Sequence, residues 1–256
     1  MRSPGTLDGV MAQIRVGTSG WVYKHWCGTF YPENLKPTEF LSFYSKQFDT
    51  AEINYSFYKL PTPENYVGWA KAVGPEFVFA VKASRYLTHL KKLNEPKDSW
   101  SRILDTAGSL TSKLGPILLQ FPARWSRNDE RLREFLEMAS ARTSDNDYQL
   151  RLAFEFRDPT WFCNSVYKIL EKYGAAVCIA DSLKFTRKDV VTAAFTYMRY
   201  HGRTPIYAAS YSSRELRAEA KKIRKFADSG IDVFAYFNND GEAHAIANAR
   251  TLKEML

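Results

Sequence analysis

The sequence predicts an α/β fold of the TIM type, a single-domain (β/α)8 barrel. Three observations predict it. Eight short β-rich segments alternate with segments of helical periodicity, helix-stopping residues precede several strands, and the 256 residues suit a fold that commonly takes about 250. Alternating strands and helices require parallel strands joined by right-handed crossovers. Eight such units favour closure into a barrel over an open sheet.

The elements can be read in order along the chain. The predicted strands are residues 14–19, 48–54, 77–82, 116–121, 150–157, 175–181, 195–201 and 233–238. Between them, apolar residues recur at the spacing of a helix that buries one face. Ser212 and Glu215 fit a capping box at the start of the helix before the last strand. Only residues 182–194 separate the sixth and seventh strands, so the sixth helical unit is predicted to be short or irregular.

The N-terminal residues and the composition of the chain indicate where in the cell the protein is located. Residues 1–12 are polar and aperiodic, so we expect a disordered or cloning-derived tail, with residues 13–256 forming the barrel domain. No leader with a charged and then an apolar part opens the sequence, and its apolar runs are shorter than the roughly 18 residues that cross a bilayer. Three scattered cysteines favour a reducing compartment. We therefore expect a cytoplasmic protein without a membrane partner.

The formal net charge of +8 indicates the chemistry of the partner. A basic chain suits an anionic ligand, either a small phosphorylated compound or nucleic acid. The alternative is a basic surface that is merely solvated. The oligomeric state stays open.

Polar residues end most of the predicted strands. Inward-facing residues of a barrel alternate along each strand, and functional groups gather at the carboxyl ends. Because Phe154 and Phe156 are apolar, Glu155 and Arg157 should face inward. A closed interior holds such charges only if they pair or serve a ligand. An internal ion pair between Glu155 and Arg199 is the structural alternative to a functional ring.

The ring supplies two sets of candidates. The candidate catalytic residues are Glu52, Glu155, Asp181 and His201. One carboxyl group would act as acid and another as base if burial separates their pKa values, and histidine is a natural proton carrier. The candidate substrate-binding residues are Trp21, Tyr23, Asn54, Lys82, Gln120, Arg157, Arg199, Tyr236 and Asn238. Their cations suit a phosphate or carboxylate, and their rings suit a sugar face or a nucleobase.

A divalent metal is a further candidate. Glu155, Asp181 and His201 are candidate ligands of Mg²⁺ or Mn²⁺, which prefer hard oxygen donors. No glycine-rich loop of Rossmann or Walker form is present, so no nucleotide cofactor is predicted. The identity of any cofactor stays open.

Several short motifs follow one another along the chain. They include residues 17–21 (GTSGW), 52–54 (EIN), 79–83 (FAVKA), 120–122 (QFP), 155–157 (EFR), 199–202 (RYHG) and 236–240 (YFNND). In this order they resemble the domain-of-unknown-function-72 (YecE-like) family over nearly the whole chain after residue 13. The resemblance implies a TIM-type barrel. It implies no particular reaction, because the function of the family is not established.

The sequence is consistent with two alternative functions. The first is an enzyme that acts on a small anionic, phosphorylated or sugar-like substrate at the barrel mouth, through hydrolase, lyase or isomerase chemistry. The second is a nucleic-acid-binding protein, with metal-assisted nuclease activity as one form. Basic residues near aromatic rings between residues 82 and 102, and in the helix after Ser213, favour the second. In either case we expect the Arg199→Ala variant to lose ligand binding while changing the fold little.

Overall fold

The strands form one parallel sheet that curls into a barrel. A computed structural model describes residues 12–141, 150–202 and 209–256, so the predicted tail lies almost entirely outside the described residues. The strands are β1 Ile14–Thr18, β2 Thr50–Ile53, β3 Val78–Lys82, β4 Leu114–Gln120, β5 Leu152–Glu155, β6 Ala176–Asp181, β7 Phe195–Tyr200 and β8 Asp232–Phe237. Their order is β1-β8-β7-β6-β5-β4-β3-β2. All eight predicted strands are confirmed.

The helices pack outside the barrel. They are α1 Phe40–Tyr44, α2 Tyr55–Tyr58, α3 Pro63–Lys71, α4 Lys97–Ala107, α5 Asp129–Ala141, α6 Asn164–Lys172, α7 Ser213–Asp228 and α8 His244–Glu254. The capping box before α7 is confirmed, since the amide of Glu215 donates to Ser212 Oγ over 3.3 Å and the Ser212 amide donates to the Glu215 carboxylate over 2.8 Å. Residues 182–194 contain no helix, which confirms the irregular sixth unit. Within the described ranges, no helix has the length and apolar character needed to span a membrane.

The fourth strand begins two residues earlier than predicted. Leu114 and Gly115, which precede the predicted strand, both lie inside β4. A Cβ atom on Gly115 would lie 2.4 Å from Val78 Cγ1, and the register of β3 against β4 shifts between Phe79 and Val81. Glycine therefore serves here as the point where two strands approach closely at an irregularity of the sheet.

The barrel closes where β1 meets β2. The two strands share a parallel bridge between Ser19 and Glu52, and the Gly20 amide donates to the Glu52 carbonyl over 2.8 Å. A Cβ atom on Gly17 would lie 2.3 Å from the Thr50 carbonyl oxygen. The residue without a side chain therefore allows the seam to close.

Substitution of Gly17 tests this seam. We expect Gly17→Ala to lower the free energy of unfolding by about 1 to 3 kcal/mol, the usual cost of overpacking, because the Thr50 backbone must move. Urea denaturation measures the loss. The matched control is Gly68→Ala in α3, where no atom lies within 4 Å of the added methyl group. Equal stability of the two variants would contradict the close approach at the seam.

A layer of aromatic side chains fills the barrel below its mouth. The rings of Tyr197 and Tyr236 lie 5.1 Å apart, and both residues are fully buried. The Tyr236 hydroxyl shares a 2.7 Å hydrogen bond with Thr50 Oγ1. This layer forms the floor under the polar groups at the carboxyl ends of the strands.

Candidate functional site

Arg199 lies at the centre of the polar ring. Its guanidinium binds the Glu52 carboxylate in bidentate fashion, with Nε and Nη2 donating over 2.9 and 2.8 Å. Nη1 donates to Glu155 Oε2 over 2.6 Å. All three side chains are fully buried. The ion pair between Glu155 and Arg199, which was the structural alternative to a functional ring, is therefore present. Arg199 also pairs with a second carboxylate, that of Glu52.

Further donors complete the environment of the two carboxylates. Ser19 Oγ and the Tyr197 hydroxyl donate to Glu52 over 2.6 and 2.7 Å. Arg157 Nε donates to Glu155 over 3.1 Å. These residues come from β1, β2, β5 and β7 and from the residues just beyond them, so barrel closure is what brings them together.

The carboxyl groups are held ionised. Burial acts to raise the pKa of Glu52, but Arg199 opposes it and the pKa falls below its ordinary value. For Glu155, burial is outweighed by Arg199 and Arg157, and the pKa lies well below the ordinary value. The two pKa values therefore move in the same direction. The expected acid and base roles required the two pKa values to differ, with one raised and one low. This arrangement does not support those roles.

His201 extends the ring on its inner side. Its Nε2 lies 3.5 Å from Glu155 Oε1, and its Nδ1 lies 3.1 Å from Asn238 Nδ2. Burial lowers the pKa of His201, which favours the neutral ring. The Asn238 amide donates to Nδ1, so the ring proton resides on Nε2 and faces Glu155.

A cavity of about 600 Å³ opens above this ring. Its lining residues are Phe57, Tyr58, Lys82, Arg85, His89, Gln120, Arg157, Asn238, Asp240 and Gly241. Four predicted site residues (Lys82, Gln120, Arg157 and Asn238) thus share one cavity at the carboxyl end of the barrel. The cavity is the place where a ligand would meet the ring.

Lys82 is the buried amine of this cavity. It is 8% exposed, and its Nζ lies 4.2 Å from the centre of the Phe57 ring. In the described part of the chain it makes no ion pair, because both nearby carboxylates are occupied by arginine. Burial, and after it the charge of Arg199, lower the pKa of Lys82 to about 7, although Glu52 and Glu155 act to raise it. Near neutral pH the amine therefore exchanges its proton readily.

Asp181 lies outside the ring, contrary to the sequence prediction. Its carboxylate accepts from Arg187 over 3.0 Å, and the same guanidinium binds Asp189 over 2.9 Å and Glu219 over 2.8 Å. On β6, Cys178 and Ala180 face the barrel interior, so Asp181 points to the helices. There it anchors residues 182–194 against α7. The ring of Phe185, in that segment, lies 4.4 Å from the Arg157 guanidinium.

The remaining predicted binding residues divide between the mouth and the interior. Trp21 is buried against Trp69 at 5.4 Å, and Tyr236 belongs to the aromatic floor, so neither lines the cavity. The Tyr23 hydroxyl donates to the Ser19 carbonyl over 2.6 Å, next to the ring. The Asn54 side-chain oxygen is buried without a hydrogen-bond partner among the described residues.

The predicted metal ligands do not form one donor set. Glu155 is engaged by two arginines and Asp181 by a third, on opposite faces of the sheet. In the ranges that the structure describes, no three His, Cys, Asp or Glu side chains are grouped to hold a metal ion. The residues present therefore do not fit a Mg²⁺ or Mn²⁺ site built from Glu155, Asp181 and His201.

Sequence reasoning missed several residues of the cavity. Arg85 and His89 stand four apart at the start of and within the π-helical segment Tyr86–Leu90 that follows β3, and the Gln120 amide nitrogen lies 3.4 Å from His89 Nε2. Burial lowers the pKa of His89 to about 4. Asp240 is bonded to Trp26 Nε1 over 2.7 Å and to His25 Nε2 over 3.0 Å. Two patterns in the sequence could have indicated these residues. Arg85 and His89 follow Lys82 at helical spacing, and Asp240 lies two residues after Asn238.

Comparisons with known proteins identify the family. The model of the family described as "Protein of unknown function DUF72" matches residues 15–256. UPF0759 protein YunF of Bacillus subtilis is 26% identical over 274 residues, covering 95% of this chain and 94% of that protein. The structure superimposes on a DUF72 family protein of Thermotoga maritima with a TM-score of 0.83 at 28% identity, covering 95% of this chain and 98% of that one. A DUF72 family protein of Enterococcus faecalis, at 19% identity, a TM-score of 0.79 and 95% coverage of both chains, shares the fold. The chain therefore belongs to the DUF72 family, as the order of its motifs predicted.

Proposed function

We propose that this protein is an enzyme that acts on a small anionic, phosphorylated or sugar-like substrate at the carboxyl-terminal mouth of the barrel. One observation carries the proposal: Lys82, Arg85 and Arg157 line one cavity, and the two carboxylates of the adjoining ring, Glu52 and Glu155, are already paired with arginine. The proposal keeps the cytoplasmic location predicted from the sparse cysteines.

The charges at the mouth support this substrate class. Glu52 and Glu155 carry two negative charges, which Arg199 and Arg157 balance. Arg85, the protonated fraction of Lys82 and the Nη groups of Arg157, whose Nε binds Glu155, then face a ligand. Guanidinium groups bind phosphate and carboxylate oxygens in pairs, which gives both affinity and orientation. Asp240, on the far side, is engaged by Trp26 and His25.

The chemistry at this site would be proton transfer. Lys82, with a pKa of about 7, passes between base and acid near neutral pH. His89 has a pKa of about 4 and is neutral at that pH, with Nδ1 lying 3.0 Å from Thr88 Oγ1 and Nε2 accepting from the Gln120 amide over 3.4 Å. The low exposure of Lys82 keeps this exchange away from bulk water.

Ligand-induced stabilisation tests the proposal. We expect glycerol 3-phosphate and glucose 6-phosphate, but not glycerol or glucose, to raise the melting temperature. A ligand at 100 times its Kd adds roughly 2.7 kcal/mol, which moves the midpoint by a few degrees. The shift should survive added salt and chelator, and it should be largely lost in Arg157→Ala.

The control is Lys221→Ala, which removes one exposed positive charge from α7 and leaves the mouth intact. An equal loss of the shift in both variants would assign it to net charge rather than to the cavity. No shift with any anion would contradict the proposal.

Nucleic acid is the second candidate. Tyr58 and Tyr86 are 80% and 52% exposed near the mouth, and Lys91 Nζ lies 6.0 Å from the Tyr86 ring. Exposed rings beside cations can stack the bases of a single strand. A stabilisation by a single-stranded oligonucleotide that fades with salt and weakens when Lys91 and Lys92 are replaced would favour this function. Nuclease activity would then be the next assay.

A further inference from the structure

We propose that Lys82 is a Schiff-base nucleophile, so that the substrate of this site is an anion that also carries an aldehyde or ketone group. This inference rests on the proposed function and names its substrate class. Three observations carry it: the placement of the amine, the absence of a carboxylate paired with it among the described residues, and the position of the surrounding cations.

The placement distinguishes Lys82 from the other lysines. It is the buried lysine of the described residues, and its side chain ends in the cavity against the Phe57 ring. Its backbone is fixed, since the Lys82 carbonyl accepts from Ser56 Oγ over 2.6 Å at the end of β3. An amine held on a rigid strand end, buried and packed against an aromatic ring, has the setting that nucleophilic lysines require.

The arginines remove the usual partner of a buried lysine. A buried ammonium normally pairs with a carboxylate. Here Arg199 takes both Glu52 and Glu155, and Arg157 takes a further oxygen of Glu155. These two guanidinium groups also disfavour a third positive charge nearby. The amine is therefore available in its neutral, nucleophilic form.

The same cations would orient the substrate. Arg85 and Arg157 line the cavity with Lys82, so an anionic group bound to them would hold a carbonyl carbon near Nζ. The Gln120 amide lies on the same wall and can donate to the carbonyl oxygen, whereas the His89 Nε2 accepts from Gln120 over 3.4 Å and so positions that amide. The site thus combines an anion clamp with a neutral amine.

The reaction balances without a further co-reactant. The Nζ lone pair forms a bond to the carbonyl carbon while the carbonyl π electrons move to oxygen, and the proton lost by nitrogen ends on that oxygen. The resulting carbinolamine takes up one proton and releases water, which leaves an iminium ion on Lys82. The iminium then draws electrons from the neighbouring carbon, so a proton or a carbon fragment can leave there. Hydrolysis by water regenerates the amine.

Reductive trapping tests this inference. The protein is incubated with pyruvate, dihydroxyacetone phosphate or glycolaldehyde phosphate, treated with sodium borohydride, and analysed by intact mass and peptide mapping. We expect one reduced adduct per chain, located on Lys82, and a trapping rate that rises as pH increases through about 7. Lys82→Met should lose the adduct, whereas Lys221→Ala should keep it.

The outcomes separate this inference from the proposed function. Glycerol 3-phosphate has no carbonyl group, so it should raise the melting temperature and leave no adduct. If the phosphate compounds stabilise the protein but Lys82 stays unmodified, the Schiff base is refuted and the anion site stands. Adducts spread over exposed lysines without preference for Lys82 would also overturn it. If neither stabilisation nor adduct is seen, both proposals fail.

Discussion

Arg199→Ala is expected to lower the free energy of unfolding by about 3 to 5 kcal/mol, the cost of leaving buried charges without their partner. The sequence alone suggested that this variant would change the fold little. The structure overturns that expectation, because Arg199 is fully buried and donates to two carboxylates that have no access to water. Urea denaturation with circular dichroism measures the change.

The pH dependence and a triple variant check the cause. The pKa values of Glu52 and Glu155 are lowered in the folded state, so their contribution to stability is present above the unfolded pKa of about 4.3 and is lost as pH falls toward the folded values. In Arg199→Ala the largest opposition to burial is removed, so both pKa values should rise and this pH dependence should weaken or reverse in sign. The combination of Glu52→Gln, Glu155→Gln and Arg199→Met removes the charges together, and it should be more stable than Arg199→Ala alone. A loss below about 1 kcal/mol for Arg199→Ala, typical of exposed pairs, would contradict a dry network.

Lys82→Met is expected to stabilise the protein by about 2 to 4 kcal/mol at neutral pH, since one pKa unit corresponds to about 1.4 kcal/mol. Burial lowers the pKa of Lys82 to about 7, whereas the amine of the unfolded chain titrates near 10.4. Between these values the unfolded state binds more protons, so the stability of the unsubstituted protein rises with pH. The advantage of the variant should therefore be largest at and below pH 7 and disappear near pH 10.

The control for this experiment is Lys221→Met, at an exposed position of α7. Its stability relative to the unsubstituted protein should not change with pH in this window. A Lys82→Met variant whose difference from the unsubstituted protein is independent of pH would show that the amine is charged when buried. That result would also remove the basis for its nucleophilic role.

Most of the ring could be predicted from alternation along the strands. In Phe154-Glu155-Phe156-Arg157 the charges and the rings occupy opposite parities, so the inward face is evident from the sequence. The structure places Glu155 and Arg157 inside as predicted, bonded to one another over 3.1 Å. Alternation therefore identifies the inward face of a strand where charged residues occupy only one of its two faces.

The same argument fails where both faces are apolar. Every residue of β6 is buried, and Ala176 to Ala180 give no sign of which parity faces inward. A parallel strand covered on both sides loses its alternation, so Asp181 was placed in the ring when it faces the helices. Arg85 and His89 were missed for another reason. They come from the segment after β3, whose direction depends on packing that periodicity does not encode.

The aromatic floor has a kinetic consequence. Because Tyr197 and Tyr236 fill the barrel beneath the ring, we expect substrate and product of the proposed reaction to enter and leave the cavity on the side of the barrel mouth. The product then has to depart before the next molecule can enter. A product that retains the anionic group would occupy the same arginines, so turnover should show product inhibition that is competitive with the substrate.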